Sequence, residues 1–483
     1  MEIEKIQPNY DYVLAAEKFD QYKFSERMAD QFFQYNNSDK FHVYRDNNKK
    51  IIIFGDVINA KTGDIDEESI VASYGQEDSW EKVLKESRYL AGRYILIYAD
   101  HENIYLLPDP AATIQVSYTL EDYSKTPIVA AYAKVIADKL GFKESERSKE
   151  ILNSSADLQP LHNDLTMYDE IKLVLPNYYF DFKKRKTIRF FPIGKQEKIS
   201  YAEALDISDK YLTRLFKCLH EKHKISLPLT SGIDSRTYLA FLKEYIDDVP
   251  TYTFFHDNFS RETSDIKVPN QMSKDLGFKH YILEDKEVPK EIIKQAEKYL
   301  GSNLYLDILE NSWTYYNSPF KDHYFLNGDV IAISRSYIGK NIPEKFANLK
   351  YFVAKSHNYS KESEIEVKKW LDRTKAETKS SNISLFDLYT WEQRFGRFTS
   401  RGRMIYDFFN YSFNPSNCRF LFEMWVSIDR KDRVNKSLQK DLMSRHWPEI
   451  LNYPFNPDAK FKFVENNSFL YYIGSLLKYK FNL

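Results

Sequence analysis

The sequence predicts an α/β protein in which a strand-rich first part precedes a parallel sheet. Between residues 200 and 284, helical and strand patterns alternate, an order typical of a parallel sheet with helices on both faces. Residues 1–195 instead show mainly strand patterns with helices between them. A length of 483 residues predicts about two to four domains. With a boundary near 194–200, we predict the domains 1–195 and 196–483.

Composition and charge indicate a globular protein. Hydrophobic residues make up 43% and charged residues 29%, the balance of a folded chain, and the net charge of −1 gives no basic field for nucleic acid. Cys218 and Cys418 lie far apart, so we expect neither disulfides nor a zinc site but a reducing, cytoplasmic compartment. The N-terminal residues lack the apolar core of a signal peptide, and no window approaches about 18 apolar residues, so no membrane insertion is expected.

The elements of the first part follow from apolar runs and turn residues. We predict strands at 51–59, 92–100 and 102–109, a helix at 79–90, and a hairpin formed by 171–182 and 186–194. The basic stretch Lys183 to Lys186 lies in the turn of that hairpin, where a solvated loop explains it better than nucleic-acid contact.

The second part begins near residues 194–200. Ser200 and Glu203 have the spacing of a capping box, which predicts that a helix starts there. Strands are then predicted at 225–229, 249–255, 280–284 and 323–328, with a helix at 235–246 and mostly helical structure from 287 onward. Pro269 predicts a late helix start with proline near its first turn, and Gly277 predicts the end of that helix.

The most informative segment is ISLPLTSGIDSR, residues 225–236. An apolar strand followed by a turn and a helix places backbone N–H groups and the hydroxyls of Thr230, Ser231 and Ser235 around one concavity, which is a phosphate-binding geometry. Asp234 in the same turn is placed to hold Mg²⁺ on those phosphates. No lysine follows the glycine, so the loop is not of the Walker type.

The turn T-S-G-I-D-S resembles the pyrophosphate loop of ATP pyrophosphatases, S-G-G-x-D-S. With the sheet pattern and the N-terminal strands in order, the chain is similar to the asparagine synthetase family over nearly its whole length. Residues 51–59 resemble the family's G-E-I-Y-N strand, and residues 90–110 its L-x-G-x-F-A-x-x-x-x-D segment. The resemblance implies a degenerate glutaminase-like α+β sandwich in 1–195. It implies an ATP-pyrophosphatase synthetase domain, similar to adenine nucleotide α-hydrolases, in 196–483.

The family cleaves ATP between the α and β phosphates and transfers AMP to a substrate oxygen, so the resemblance implies ATP and Mg²⁺ as cofactors, with Asp234 as the metal ligand. The implied nucleotide-binding residues are Leu229, Thr230, Ser231, Gly232, Asp234, Ser235, Arg236, Thr253, Phe254 and Gly328. Asp265 matches an acidic position at the head of the next helix, where a solvated acid is an equal alternative.

The glutaminase of that family uses a cysteine exposed at position 1 of the mature chain. Here Met1 is followed by Glu2, and the first cysteine is Cys218. A carboxylate does not replace a thiolate in attack on an amide, so we expect a glutaminase-like fold that does not hydrolyse glutamine.

A second signature, NGDVIAISR at 327–335, resembles the family's G-E-G-x-D-E loop. Gly328 is kept, and Asp329 stands where a glutamate acts as general base for the attacking amine. The metal-binding Asp of the pattern falls at Ala332. The resemblance gives Arg335 the role of holding pyrophosphate or a substrate carboxylate.

Two C-terminal segments complete the resemblance. Residues 389–433 are similar to the helices that line the acceptor pocket, where Arg394, Arg397 and Arg403 either meet an anionic acceptor or remain surface charges. Residues 447–460 resemble the stretch that delivers a lysine to the adenylate, which makes Lys460 the candidate.

These residues predict ATP-dependent, AMP-forming activation of a small-molecule or peptide carboxylate, followed by amide formation. The amine is free ammonia, ammonia from a separate enzyme or biosynthetic-cluster partner, or an amine on the substrate itself. A sugar uronate that is converted to a carboxamide is a further candidate for the carboxylate. No nucleic acid is expected as a partner, and a homodimer is left open.

An alternative class is a pseudoenzyme that binds nucleotide or a protein partner without turnover. The replacements at Val330, Ile331 and Ala332 favour it, whereas the intact Asp234–Arg236 stretch disfavours it. A tRNA-thiolating enzyme also uses this loop but needs a catalytic cysteine pair near it, for which Cys218 and Cys418 are poor candidates.

Overall fold

The computed structural model describes residues 6–154, 161–256, 260–340, 342–434, 437–457 and 468–481. Over these ranges the chain forms two six-stranded antiparallel sheets and one five-stranded parallel sheet, with helices around them. The α/β class predicted from the sequence is confirmed. The strands of the antiparallel sheets are all contributed by residues before 190, and those of the parallel sheet by residues after 224.

The antiparallel strands follow one another closely along the chain. They are β1 (Tyr12–Ala15), β2 (Phe24–Met28), β3 (Gln31–Tyr35), β4 (Phe41–Arg45), β5 (Lys49–Asn59), β6 (Leu90–Asp100), β7 (Ile104–Pro108), β8 (Ser117–Thr119), β9 (Val129–Ala130), β10 (Ile171–Leu173), β11 (Tyr178–Asp181) and β12 (Lys186–Arg189). The strand orders are β10-β8-β9-β1-β3-β2 and β12-β11-β7-β6-β5-β4.

The second of these sheets is buried on both faces. In β5, Ile52 and Phe54 face the first sheet, where the ring of Phe54 lies 5.5 Å from that of Phe33. Ile51 and Ile53 face the opposite way, into a second cluster with Trp80. Alternate side chains of a strand point to opposite faces, so burial on both sides explains the unbroken apolar run Ile51–Phe54.

The predicted strand at 171–182 is wrong as one element. It is two strands in different sheets, because β10 pairs with β8 while β11 pairs with β7 and β12. Between them, Asn177 has φ 71°, a left-handed conformation that asparagine tolerates better than most residues. Pro176, which has no N–H for a sheet, precedes it. The chain therefore crosses from one sheet to the other at this point.

The parallel sheet has the order β15-β14-β13-β16-β17, and every neighbouring pair is parallel. Its strands are β13 (Ile225–Pro228), β14 (Thr251–Phe255), β15 (His280–Glu284), β16 (Tyr324–Leu326) and β17 (Ser412–Phe413). The sequence predicted the first four. It missed β17, whose two residues lie between helices and carry no strand periodicity.

The helices pack around these sheets. They are α1 (Glu67–Gly75), α2 (Trp80–Glu86), α3 (Ala133–Leu140), α4 (Glu146–Asn153), α5 (Tyr201–Lys222), α6 (Ile233–Phe241), α7 (Ser264–Leu276), α8 (Lys290–Leu300), α9 (Leu306–Tyr316), α10 (Leu349–Ser356), α11 (Lys361–Glu377), α12 (Leu385–Tyr389), α13 (Ser400–Tyr406), α14 (Arg419–Ser427), α15 (Arg430–Val434), α16 (Ser437–His446) and α17 (Ser468–Phe481). A π-helical segment, Thr390–Thr399, joins α12 to α13. No helix among the described residues is long and apolar enough to cross a bilayer.

Helix ends test the capping predictions directly. The Ser200 hydroxyl accepts a hydrogen bond from the backbone N–H of Glu203 at the start of α5, and Gly277 ends α7 in the left-handed conformation, as predicted. The late start of α7 is wrong, because that helix begins at Ser264 and contains Pro269 in its interior. The α6 helix begins at Ile233, two residues before the predicted start.

Buried ion pairs connect the antiparallel sheets to the parallel part. Arg93 donates two hydrogen bonds to the carboxylate of Asp407, at 2.6 and 3.0 Å. Lys40 lies 2.6 Å from Asp56 and donates to the Tyr324 hydroxyl at 2.7 Å. The contacts of Arg93 with Asp407 and of Lys40 with Tyr324 join residues 314 and 284 positions apart in the chain and fix the two parts against each other.

Candidate functional site

The site lies where the strand order of the parallel sheet reverses. From β13 the chain first adds β14 and β15 on one side and later adds β16 and β17 on the other. The turn after β13 and the turn after β16 are therefore neighbours at the carboxyl edge, where open α/β sheets bind ligands. They touch, since a Cβ on Gly328 would lie 3.3 Å from the carbonyl carbon and oxygen of Asp234.

The turn after β13 is closed by its own hydroxyl groups. The Thr230 hydroxyl accepts from the Gly232 N–H at 3.1 Å and lies 3.3 Å from the Ser235 hydroxyl, which also accepts from the Thr230 N–H. Gly232 caps α6 without a side chain, so no side-chain cap occupies the first-turn N–H groups. These groups carry the positive end of the helix dipole and suit an anion.

An acid and a C-terminal segment flank this turn. Asp265 accepts from both the N–H and the hydroxyl of Ser231, at 2.9 and 2.6 Å, so the acidic position is structural to the loop. The backbone N–H of Asn456 donates to the Ser231 carbonyl at 3.1 Å. Lys460 lies outside the described residues.

Leu229, Thr253 and Phe254 support the turn from the sheet. The Leu229 N–H donates to Tyr252, and its carbonyl accepts from the Thr253 hydroxyl at 2.5 Å. Phe254 pairs with Leu283 of β15 and is half-buried. The backbone N–H and carbonyl of Leu229 are thus hydrogen-bonded within the sheet. Leu229 can therefore contribute to nucleotide binding only by shaping the site, without a backbone hydrogen bond.

Arg236 is placed differently from its prediction. Its guanidinium donates to the carbonyls of Gly232, Ser231, Tyr453 and Pro454, at 2.6 to 3.2 Å. It is fully buried and lies over the ring of Phe455, and burial lowers its pKa to about 9. With four of its five N–H groups on carbonyls, Arg236 ties the C-terminal segment to the loop and does not present a free fork to phosphate.

The structure brings together two predicted residues, Asp234 and Arg335, as an ion pair. Arg335 Nε lies 3.1 Å from Asp234 Oδ1, and its Nη2 lies 2.5 Å from Oδ2. The Gln439 amide donates to the same Oδ1 at 2.7 Å, a contact that no sequence signal predicted. Burial alone would lower the pKa of Arg335, but the Asp234 carboxylate outweighs it and raises that pKa.

A protein-held Mg²⁺ does not fit this arrangement. Both carboxylate oxygens of Asp234, the predicted metal ligand, are taken by arginine and glutamine donors. Ala332, at the position of the family's second metal ligand, offers no oxygen. Among the described residues no group of three or more His, Cys, Asp or Glu side chains is arranged for a metal. The guanidinium of Arg335 stands where the prediction put the cation.

Asp329 is held by a second set of contacts. Arg403 Nη2 lies 3.4 Å from its Oδ2, and the Asn414 amide lies 3.4 Å from its Oδ1. Arg403 packs on the rings of Phe325 and Tyr406, and its Nε and Nη1 are buried with no partner among the described residues. Sequence reasoning missed Asn414, which directly follows β17 and could have been found had that strand been recognised.

The second signature forms a 3₁₀ helix, Asp329–Arg335, in place of an open glycine loop. Val330 and Ile331 are 1% and 0% exposed and pack into the core. Burial of these two side chains fixes the segment against the fold. Asp329 and Arg335, at its two ends, are the residues of this segment that face polar partners of the site.

Neither cysteine is arranged as a nucleophile. Cys418 is fully buried, and burial raises the pKa of its thiol to about 12. Burial also raises the pKa of Cys218, whose thiol contacts the Gly63 carbonyl at 3.3 Å. A thiol with a raised pKa is a poor nucleophile at neutral pH.

Comparison with known proteins gives little further identification. No protein-family model matches the chain, and no curated protein does. Among solved structures, the glutamine phosphoribosylpyrophosphate amidotransferase of B. subtilis, complexed with ADP and GMP, is 10% identical with a TM-score of 0.25; the match covers 61% of this chain and 66% of that one. A structure of the allosteric regulatory enzyme of purine biosynthesis is 12% identical with a TM-score of 0.23, and covers 54% and 60%. The chain thus spans under two thirds of either protein, and the asparagine synthetase resemblance stays a prediction.

Proposed function

We propose that this chain activates a carboxylate with ATP, forming AMP and pyrophosphate, and then joins the acyl group to ammonia or an amine. The observation that carries the proposal is the contact between Asp234, in the first turn of α6, and Gly328, at the reversal of strand order in a parallel sheet. The start of α6, which has no side-chain cap, lies here together with the guanidinium of Arg335 and the carboxylate of Asp329 on the neighbouring segment.

In the first step a carboxylate oxygen of the substrate attacks the α-phosphorus, and the bond to the β-phosphate oxygen breaks. The first-turn N–H groups of α6 and the guanidinium of Arg335 face the charge that develops on pyrophosphate, which is how such transfers are accelerated. Mg²⁺ enters only as the counter-ion that ATP carries, since Asp234 is engaged by Arg335.

In the second step the amine attacks the acyl carbon, and AMP leaves. Asp329, which is 35% exposed, accepts the proton of the amine directly or through one water. Two nitrogens of Arg403 beside it, buried and without a partner among the described residues, suit an anionic group of the substrate. The source of the amine, the identity of the carboxylate, any cluster partner and a homodimer remain predictions, as do the domain assignments and the cytoplasmic location.

The absence of an arranged thiol supports a ligase without glutaminase activity. Both cysteines of the chain are buried with raised pKa values, so neither attacks glutamine nor supports a thiolation reaction.

One substitution tests where ATP binds. In Gly232→Asp the new carboxylate caps α6 and takes the N–H groups that phosphate would use, while an Asp N-cap preserves the helix. Two charge-assisted hydrogen bonds, at about 1.5 kcal/mol each or more, correspond to a loss of at least roughly 100-fold in ATP affinity by calorimetry. Ser360→Asp, which adds the same charge at the N-cap of α11, is the matched control. Unchanged ATP affinity in Gly232→Asp would place the nucleotide elsewhere.

A nucleotide-binding pseudoenzyme is the second candidate, favoured by the engaged Asp234 and by the packed segment at Val330 and Ile331. Exchange of labelled pyrophosphate into ATP, measured across amino acids, peptides and sugar acids, separates the two. Exchange with any carboxylate establishes activation. ATP binding without exchange across the panel would favour the pseudoenzyme.

A further inference from the structure

A small cavity lies between the first part of the chain and the C-terminal helices, and it shares no residue with the nucleotide site. Its volume is about 40 Å³. The polar residues that matter here are Tyr168 from the first part and Tyr299, Asn303, Arg397 and Arg401 from the second.

Two buried arginines line this cavity. Arg397 and Arg401 are 5% and 9% exposed. Arg397 donates from Nε to the Leu161 carbonyl at 2.9 Å and from Nη2 to the Leu165 carbonyl, but its Nη1 is buried with no partner among the described residues. Arg401 donates from Nε to the Asn303 carbonyl at 2.9 Å and from Nη2 to the Leu300 carbonyl at 3.0 Å.

The two positive charges are not neutralised by the part of the chain that the structure describes. No described carboxylate lies within ion-pair distance of either guanidinium. Asp164, the carboxylate whose charge raises the pKa of Arg397, is itself paired with Arg373 at 3.0 Å. Burial lowers the pKa of Arg397 and of Arg401 to about 10, so both remain charged at neutral pH. Uncompensated buried charges are costly, and an anion between them removes that cost.

The backbone that holds these arginines is unusual. Arg397 lies in the π-helical segment and Arg401 in the first turn of α13. Gly396 is pressed against Pro176, since a Cβ there would come within 2.4 Å of the proline ring. Ten π-helical residues are rare, and such segments recur at functional sites.

Size and donors limit the ligand class. A buried water needs roughly 10–15 Å³ by this measure, so the cavity holds about three waters or one small oxyanion and no nucleotide. Burial raises the pKa of Tyr168 and of Tyr299, so these lining phenols stay protonated and can donate. The two guanidiniums and the phenol donors favour a compact anion with several oxygen acceptors.

We propose that the cavity binds one small oxyanion, a phosphate or a carboxylate, between Arg397 and Arg401, at a site separate from the nucleotide loop. The ligand joins the first part of the chain to the C-terminal helices through these two side chains.

Thermal unfolding of the full-length protein tests the proposal, with inorganic phosphate and acetate as probes at constant ionic strength against chloride. We expect phosphate, acetate or both to raise the unfolding midpoint in a saturable way. The anion that gives the larger increase identifies phosphate or carboxylate as the preferred ligand class. Arg397→Gln should weaken the response on the order of tenfold or more, since a charge-assisted pair is lost. Arg394→Gln, a neighbouring arginine that lies over Phe398 and does not line the cavity, should respond as wild type does.

Two further measurements keep the test decisive. Gly232→Asp, which blocks the nucleotide loop, should retain the part of the response that Arg397→Gln removes, so failure of the nucleotide site does not imitate failure of this one. A crystal structure of wild type grown with phosphate provides the readout if Arg397→Gln does not fold. No saturable response in wild type to either probe, an equal response in Arg397→Gln, or no density between the arginines would overturn the proposal.

Discussion

Replacing Arg335 by glutamine tests whether a guanidinium takes the place of a protein-held metal. Arg335 and Asp234 are 12% and 25% exposed and joined by two hydrogen bonds. Two unit charges about 4 Å apart interact by roughly 4 kcal/mol at an effective dielectric constant of 20. Applied to Arg335 and a phosphate of ATP at that distance, and halved because the site is partly open to solvent, this gives ~2 kcal/mol, which corresponds to roughly 30-fold in ATP affinity.

The measurement is ATP binding by calorimetry in EDTA and in millimolar Mg²⁺. Wild type is expected to bind ATP with little dependence on Mg²⁺, because Arg335 already supplies the positive charge. Arg335→Gln should lose about 30-fold in ATP affinity in EDTA, the factor that follows from the charge–charge energy above. It should recover in Mg²⁺, since Oδ2 of Asp234, which Gln439 does not contact, is then open to the ion.

Two controls define the outcome. Arg335→Lys keeps the positive charge but loses the planar pair of guanidinium donors. Its ATP affinity in EDTA should therefore lie between those of wild type and Arg335→Gln. Arg445→Gln removes an exposed arginine that pairs with Asp206 and Asp209, and should leave ATP binding unchanged. The reasoning is refuted if Arg335→Gln binds ATP in EDTA as tightly as wild type, or if wild type binds no ATP without Mg²⁺.

Three further predictions concern the base, the loop anchor and acid stability. Asp329→Asn should keep ATP binding and pyrophosphate exchange but abolish amide formation, and amide formed at the wild-type rate would exclude Asp329 as the base. Arg236→Lys should lose at least two of four hydrogen bonds and about 3 kcal/mol of unfolding free energy in urea, and a change below about 1 kcal/mol would contradict the anchoring role. Burial lowers the pKa of His280 to about 4, so its contribution to stability is complete above about pH 6.5 and is lost as the pH falls toward 4. His280→Gln should reduce the slope of stability against pH in that window by about one proton, and an unchanged slope would show that His280 is not neutral in the fold.

The sequence by itself determined the features that depend on short stretches of chain. The capping pattern at Ser200, the end of α7 at Gly277 and the four main parallel strands all follow from local turn chemistry and periodicity. The turn after β13 was recognisable for the same reason, since a strand, small residues and a helix start lie within twelve positions. Even so, its hydrogen bonds to Asp265 and Asn456 were not visible in it.

Only the tertiary structure decided which side chains meet. Asp234 and Arg335 are 101 positions apart, and no local pattern shows that arginine occupies both oxygens of the predicted metal ligand. Arg236 was predicted to bind the nucleotide, yet packing of a segment 217 positions away supplied its guanidinium with carbonyls. The strand β17 forms because it pairs with the edge of β16. Its two residues are too few to show the alternating pattern that predicts a strand. Partner choice of this kind depends on which surfaces are buried together, and that information is distributed over the whole chain.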